Sequence, residues 1–284
     1  TPAQLVATLS HQNGWWRDWA QQLLVQRNDK SAVPALENLA KTSPAAPTRL
    51  QALWTLNGMK SLKPALVTAA LSDASAGVRA GALRMAEPSL AGNAAMRAAV
   101  LKLSDDPNWF VRRQLAATLG ELPREQRLAP IVALLRKYGD DTMTVDAALS
   151  GLNGQEGEAL AQLSKGAKVP ADAITQLAAA ASKGRDPATV QNLINLASDS
   201  AQPTVVRAAV LDGVAAGLRG AAGGPGNAVA GGRAGGGVPG VNRDRAAAGF
   251  PIAAAPTALL ALVDAKTELS ASAKSTVDLL SWPG

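Results

Sequence analysis

Along most of this chain apolar residues recur at spacings of three and four, and short polar turns break the pattern at regular intervals. The clearest instance is residues 103–122, LSDDPNWFVRRQLAATLGEL. A Leu-Ser-Asp turn leads there to a helix start, after which Val111, Leu115 and Leu119 fall on one stripe. Residues 71–87, LSDASAGVRAGALRMAE, repeat it without a gap, with Val78, Leu83 and Met85 apolar and Ala82 and Ala86 between. In both stretches an Asp stands six residues before an Arg, Asp73 before Arg79 and Asp106 before Arg112. Looser copies put His11 six before Arg17 and Ser43 six before Arg49. Residues 139–152 carry Asp140 but have Asp146 where the Arg would stand, and Asp199 precedes Arg207 by eight. From Arg17 through Arg49, Arg79 and Arg112 to Asp146 the steps are 32, 30, 33 and 34 residues. The next step, 61 residues to Arg207, fits two repeats with a degenerate one near residues 172–181.

A period in the low thirties with two helices per unit predicts an all-α fold, an α-solenoid. Each helix pair leaves an apolar face that only the next pair covers, and Asp, Ser or Pro at the turns caps the helices. Pro34 and Pro64 sit early in helices, Gly58 ends one, and Trp54 is expected in the core. The array is expected over residues 1–216, with a weak packing signal in the Ala-rich, polar stretch 155–183. Residues 217–249 are dominated by Gly and Ala and read as a flexible insertion. Residues 250–284 read as a terminal helix pair.

This pattern resembles HEAT repeats, including the short bacterial form of phycobilisome-lyase-like proteins. The resemblance implies a right-handed superhelical array in which Asp and Arg form a hydrogen-bonded ladder between successive repeats. It assigns that structural role to Asp73, Arg79, Asp106 and Arg112. His11, Ser43 and Asp146 depart from the pattern.

Hydrophobic residues make up 47% of the chain but aromatics only 3%, so the core is built from Ala, Leu and Val. There is no cysteine, which excludes disulfides, thiolate catalysis and covalent haem attachment within this chain. No apolar run reaches membrane-spanning length, so no membrane insertion is expected. The single histidine, His11, has no partner at metal or triad spacing, and no nucleotide or zinc signature occurs. The expectation is therefore a segment with no catalytic, cofactor-binding or metal-binding residue. Two tryptophan clusters stand out instead. Trp15, Trp16 and Trp19 crowd about one and a half turns around Arg17, and Trp109-Phe110 precede Arg112-Arg113. One reading has Trp15 and Trp19 plugging the open end of the array; the other makes the tryptophans, with Arg17 and Arg113, a docking surface for another domain.

Residues 9–27, LSHQNGWWRDWAQQLLVQR, followed by AVPALENLA, RLQALWTLNG and the closing LLSWPG, resemble the HEAT segment of membrane-bound-dehydrogenase-type c-type cytochromes. In that bacterial family a dehydrogenase-like propeller precedes the segment and a cytochrome c domain follows it. The resemblance implies an extracytoplasmic spacer and docking scaffold whose partners are proteins or neighbouring domains, with haem c in a following domain and any oxidoreductase activity in a longer parent polypeptide. The given chain opens on Thr-Pro without an initiator Met or a signal peptide, which suggests a processed chain or a piece of a longer one. The net charge of +6 and pI near 9.8 keep a second reading, a basic HEAT-like nucleic-acid binder or DNA glycosylase, behind the first. A third, a lyase or chaperone for a bilin, rests on the repeat subtype alone. Oligomeric state is left open.

Overall fold

The structure, a computed structural model, describes residues 1–165, 170–220 and 249–283. Over these the chain is all-α, with sixteen α-helices and one pair of two-residue strands among the described residues. Most of the Gly-rich stretch, residues 221–248, lies outside them, as does Lys168. The chain divides into two compact units, Thr1–Pro130 and Ile131–Gly284.

The first unit is built from helix pairs. They are α1 (Pro2–Thr8) with α2 (Gly14–Arg27), α3 (Val33–Thr42) with α4 (Ala46–Gly58), α5 (Pro64–Ala70) with α6 (Ala76–Ala86), and α7 (Ala94–Leu101) with α8 (Trp109–Leu119). The second helices pack in sequence, α2 on α4, α4 on α6 and α6 on α8, and the first helices likewise, α1 on α3, α3 on α5 and α5 on α7. Local chemistry explains the starts. Thr1 and Gln4 form a capping box, Asn13 and Asn108 accept from the N–H groups of Trp15 and Phe110, and Pro34 and Pro64 occupy first turns where their missing N–H costs nothing. Counting from Arg17, Arg49, Arg79 and Arg112, the seventh residue on is Leu24, Leu56, Ala86 or Leu119, each no more than 2% exposed. Burying such a leucine contributes about 1.5–3 kcal/mol. Three residues after the first three arginines come Ala20, Ala52 and Ala82, buried and small enough for neighbouring helices to approach closely. Trp54, expected in the core, is half-buried, because it lies on the flank of α4 beside Gly81 of α6.

The remaining helices are α9 (Arg124–Tyr138), which carries Pro130, then α10 (Thr142–Leu152), α11 (Glu156–Leu163), α12 (Ala171–Lys183), α13 (Pro187–Ser198), α14 (Thr204–Gly220), α15 (Thr257–Asp264) and α16 (Ser270–Val277). In the second unit α12 packs on α10, α14 on α12 and α16 on α14. The α12–α14 crossing is close. A Cβ at Gly213 would stand 2.4 Å from the Thr175 carbonyl oxygen and one at Gly217 2.5 Å from that of Ala179, so both positions require glycine. This corrects two expectations. The Ala-rich α12 is well packed, since close backbone approach replaces large side chains, and residues 217–220 belong to α14 rather than to a flexible insertion. The chain end is also not wholly helical: Phe250–Pro251 pairs in parallel with Leu280–Ser281, tied by Phe250 N–H to the Leu279 oxygen at 2.7 Å and Ile252 N–H to the Ser281 oxygen at 2.8 Å. Among the described residues no helix is long and apolar enough to cross a membrane.

Candidate interaction surface

In the first unit the turn between the two helices of each pair is gripped by one arginine. The turn's extended backbone leaves carbonyls without helical partners, and a side chain must satisfy them. Arg17 Nη1 donates to the carbonyls of His11 and Gln12 at 2.8 and 2.9 Å, Arg49 to those of Ser43 and Pro44 at 2.9 and 3.2 Å. Arg79 and Arg112 repeat this on Asp73 and Ala74, and on Asp106 and Pro107. The residue six before the Arg closes the turn from the other side. Asp73 Oδ1 accepts from Ser75 N–H at 2.8 Å, Asp106 Oδ1 from Asn108 N–H at 2.9 Å, and His11 Nδ1 takes the same part with Asn13 N–H at 3.1 Å.

The rest of the guanidinium of Arg49 and of Arg79 reaches the next pair. Arg49 donates through Nε and Nη2 to both Asp73 oxygens at 2.8 and 2.6 Å, and Arg79 does the same to Asp106 at 2.7 and 2.9 Å. Each Asp is thus bonded by its carboxylate to the Arg of the preceding pair and by its carbonyl to the Arg of its own. Burial alone raises the carboxyl pKa of Asp73 and Asp106. The Arg hydrogen bond, the backbone N–H and the flanking guanidinium charges outweigh it and hold both below the ordinary carboxylate range. At Ser43 the acceptor is missing, and Arg17 Nε is buried without a hydrogen-bond partner among the described residues.

Trp15, Trp16 and Trp19 are 57, 48 and 42% exposed and form one edge-to-face cluster, with ring centroids 4.9 Å apart for Trp15–Trp16 and 5.8 Å for Trp15–Trp19. The His11 ring lies 6.0 Å from that of Trp16. Trp109 and Phe110 are exposed as well, edge to face at 6.0 Å, at the start of α8. Measured from the arginines, Phe110 is the equivalent of Trp15, and Trp16 corresponds to the buried Val111. Arg17 is committed to its turn, and Arg113 is half-buried beside Arg112.

Sequence reasoning missed a groove in the second unit of ≈ 790 Å³ between α11, α12 and α13. Leu160, Leu193 and Leu196 give it apolar walls, and Glu156, Glu158 and Asp186 give it carboxylates. Asp186 is spent in capping α13, where its bonds to Thr189 hold its pKa down. No signal short of the helix packing itself brings these residues together. No protein-family model and no curated protein matches the chain.

Proposed function

We propose that this chain is a HEAT-like α-solenoid acting as a non-catalytic scaffold for protein partners or neighbouring domains. The observation that carries the reading is the row of second helices in the first unit, joined pair to pair by the Arg49–Asp73 and Arg79–Asp106 forks. Such linkage holds a fixed register over several pairs, which suits a spacer. It leaves indoles exposed at the turns, and exposed tryptophans are enriched in binding hot spots. The sequence resemblance adds the finer proposal: the scaffold separates a dehydrogenase-like propeller from a cytochrome c domain in an extracytoplasmic redox protein.

The nucleic-acid reading draws less support at the turns of the first unit, because the guanidiniums there are committed within the fold. Arg17, Arg49, Arg79 and Arg97 grip turn carbonyls, and Arg49 and Arg79 are paired with Asp as well. The test is the intact mass and visible absorption of the protein from its native source. A mass well above 28.9 kDa with a haem band fits the redox-scaffold proposal. A colourless protein of that mass refutes the cytochrome placement, and salt-sensitive retention on duplex DNA refutes the scaffold reading in favour of its rival.

A further inference from the structure

Along the stripe that meets α4, α2 departs from the later second helices. Four residues after the Arg stand Leu53, Leu83 and Ala116 in α4, α6 and α8, each no more than 1% exposed. In α2 that place is held by Gln21, half-buried. One residue after the Arg, Leu50, Ala80 and Arg113 are buried or half-buried, against an exposed Asp18. A carboxamide where the repeat keeps an apolar side chain under cover breaks the fold's own rule, and such breaks belong to functional sites.

At this place a groove of ≈ 450 Å³ runs between α2 and α4. Gln21, Gln22, Gln26 and Asn57 line it with four carboxamides, and Trp54 adds a half-buried indole. Asp18 is the one charged side chain among the described residues of its wall. The repeat does not demand the indole, since the same register, five after the Arg, holds Gln22, Arg84 and Ala117 in the other pairs. Gln51 of α4 fixes two wall residues, its Nε2 donating to Asp18 Oδ1 at 3.2 Å and to Gln21 Oε1. The Gln21 amide N–H groups and Asp18 Oδ2 are left without a hydrogen bond among the described residues, as are the exposed side chains of Gln22, Gln26 and Asn57. From Asp18 to Gln26 the helix rises about 12 Å. The groove lies between neighbours in the row and not on its end, so a segment packed ahead of α2, as α2 is packed ahead of α4, would leave it open.

We propose that this groove binds a neutral oligosaccharide. Each carboxamide sets a donor and an acceptor side by side, which is the pattern that vicinal hydroxyls complement. The indole gives a flat apolar surface for the C–H face of a sugar ring. A phosphate or sulfate would need guanidinium or ammonium groups, which this wall lacks among the described residues. A peptide strand fits less well, because it needs apolar pockets for alternate side chains and only Val25 adds apolar surface beside Trp54. The site is independent of the scaffold reading and gives the module a ligand of its own.

The experiment is isothermal titration of the whole protein with neutral tetrasaccharides of glucose, mannose, galactose, xylose and N-acetylglucosamine, beside a heparin tetrasaccharide and an extended peptide. At least one neutral tetrasaccharide is expected to bind with Kd below about 1 mM. Gln26→Ala and Trp54→Ala weaken it about tenfold or more, while Trp109→Ala leaves it unchanged. Gln26 is exposed, so its variant keeps the fold even where Trp54→Ala does not. Gln21→Leu restores the apolar residue of the later pairs; it raises the melting temperature and weakens the saccharide together, whereas a merely structural glutamine would leave binding untouched. No neutral tetrasaccharide bound at about 10 mM, binding indifferent to Gln21 and Gln26, tighter binding of the heparin tetrasaccharide, or binding of the peptide alone overturns the proposal.

Discussion

Replacing Ser43 with Asp should supply the rung that the first two helix pairs lack. The backbone is already set for it: Ser43 has φ −60° and ψ 130°, and Asp106, which performs the role two pairs later, has −56° and 130°. The donor waits as well, since Arg17 Nη1 is bound to turn carbonyls as in later pairs while Nε is buried and unpartnered. The new carboxylate gains two charge-assisted hydrogen bonds like those of Arg49 with Asp73, worth about 1.5–3 kcal/mol before desolvation and side-chain ordering are subtracted. Arg49 and Asp73 are 14 and 13% exposed, so solvent screens the pair only in part. A net gain of about 1–2 kcal/mol follows, or about 2–6 °C in the melting temperature of the unit that contains it.

Calorimetry with denaturant titration measures this, but one confound must be removed. An Asp at residue 43 also stands just before α4, where a carboxylate near the helix N-terminus stabilises by about 0.3–1 kcal/mol without any Arg. Repeating the substitution in an Arg17→Lys background isolates the fork, because lysine cannot form the bidentate pair. A gain of equal size in both backgrounds, or no gain in either, refutes the reasoning.

Asp106→Asn removes the charge that Arg79 faces at 13 and 4% side-chain exposure, and should cost about 2–3 kcal/mol in urea unfolding at neutral pH. Because Asp73 and Asp106 titrate below their unfolded values, their contribution is complete above about pH 4 and is lost as pH falls through the depressed folded values. Stability measured from pH 6 down to 2 should therefore fall less steeply in Asp106→Asn than in the wild type. Glu87 behaves oppositely. Burial first, then the Glu121 charge, raise its pKa against the Thr118 hydrogen bond and Arg84, so its ionisation opposes folding; Glu87→Gln should raise the melting temperature at pH 7 and leave it unchanged at pH 3. Gly213→Ala forces a Cβ within 2.6 Å of the Ala178 Cβ as well as onto backbone, and its overpacking cost of about 1–3 kcal/mol should exceed the helix-propensity gain of about 1 kcal/mol. Gly157→Ala, which meets nothing within 4 Å, should gain in the same melting assay.

Two kinds of information lie in this sequence, and only one can be read without the structure. Periodicity marks what repeats: the Arg-to-turn spacing was legible from Asp73/Arg79 and Asp106/Arg112 because each turn solves the same problem of unpaired carbonyls with the same side chain. The partner of each carboxylate was not, since nothing in the spacing says that Asp73 reaches back to Arg49 rather than to the Arg six residues on. The α12–α14 crossing failed for the converse reason: its determinants, Gly213 and Gly217, have no side chain and leave no hydrophobic signal, so tight packing looked like a weak helix running into a flexible stretch. The tryptophans show the same division. Spacing alone put Trp15 and Trp19 on one face, and exposure compared position by position adds that Trp16 and Trp19 stand in registers that are covered or half-covered in the later pairs of the first unit. A residue's meaning in a repeat thus depends less on its own character than on what the same register holds one pair away.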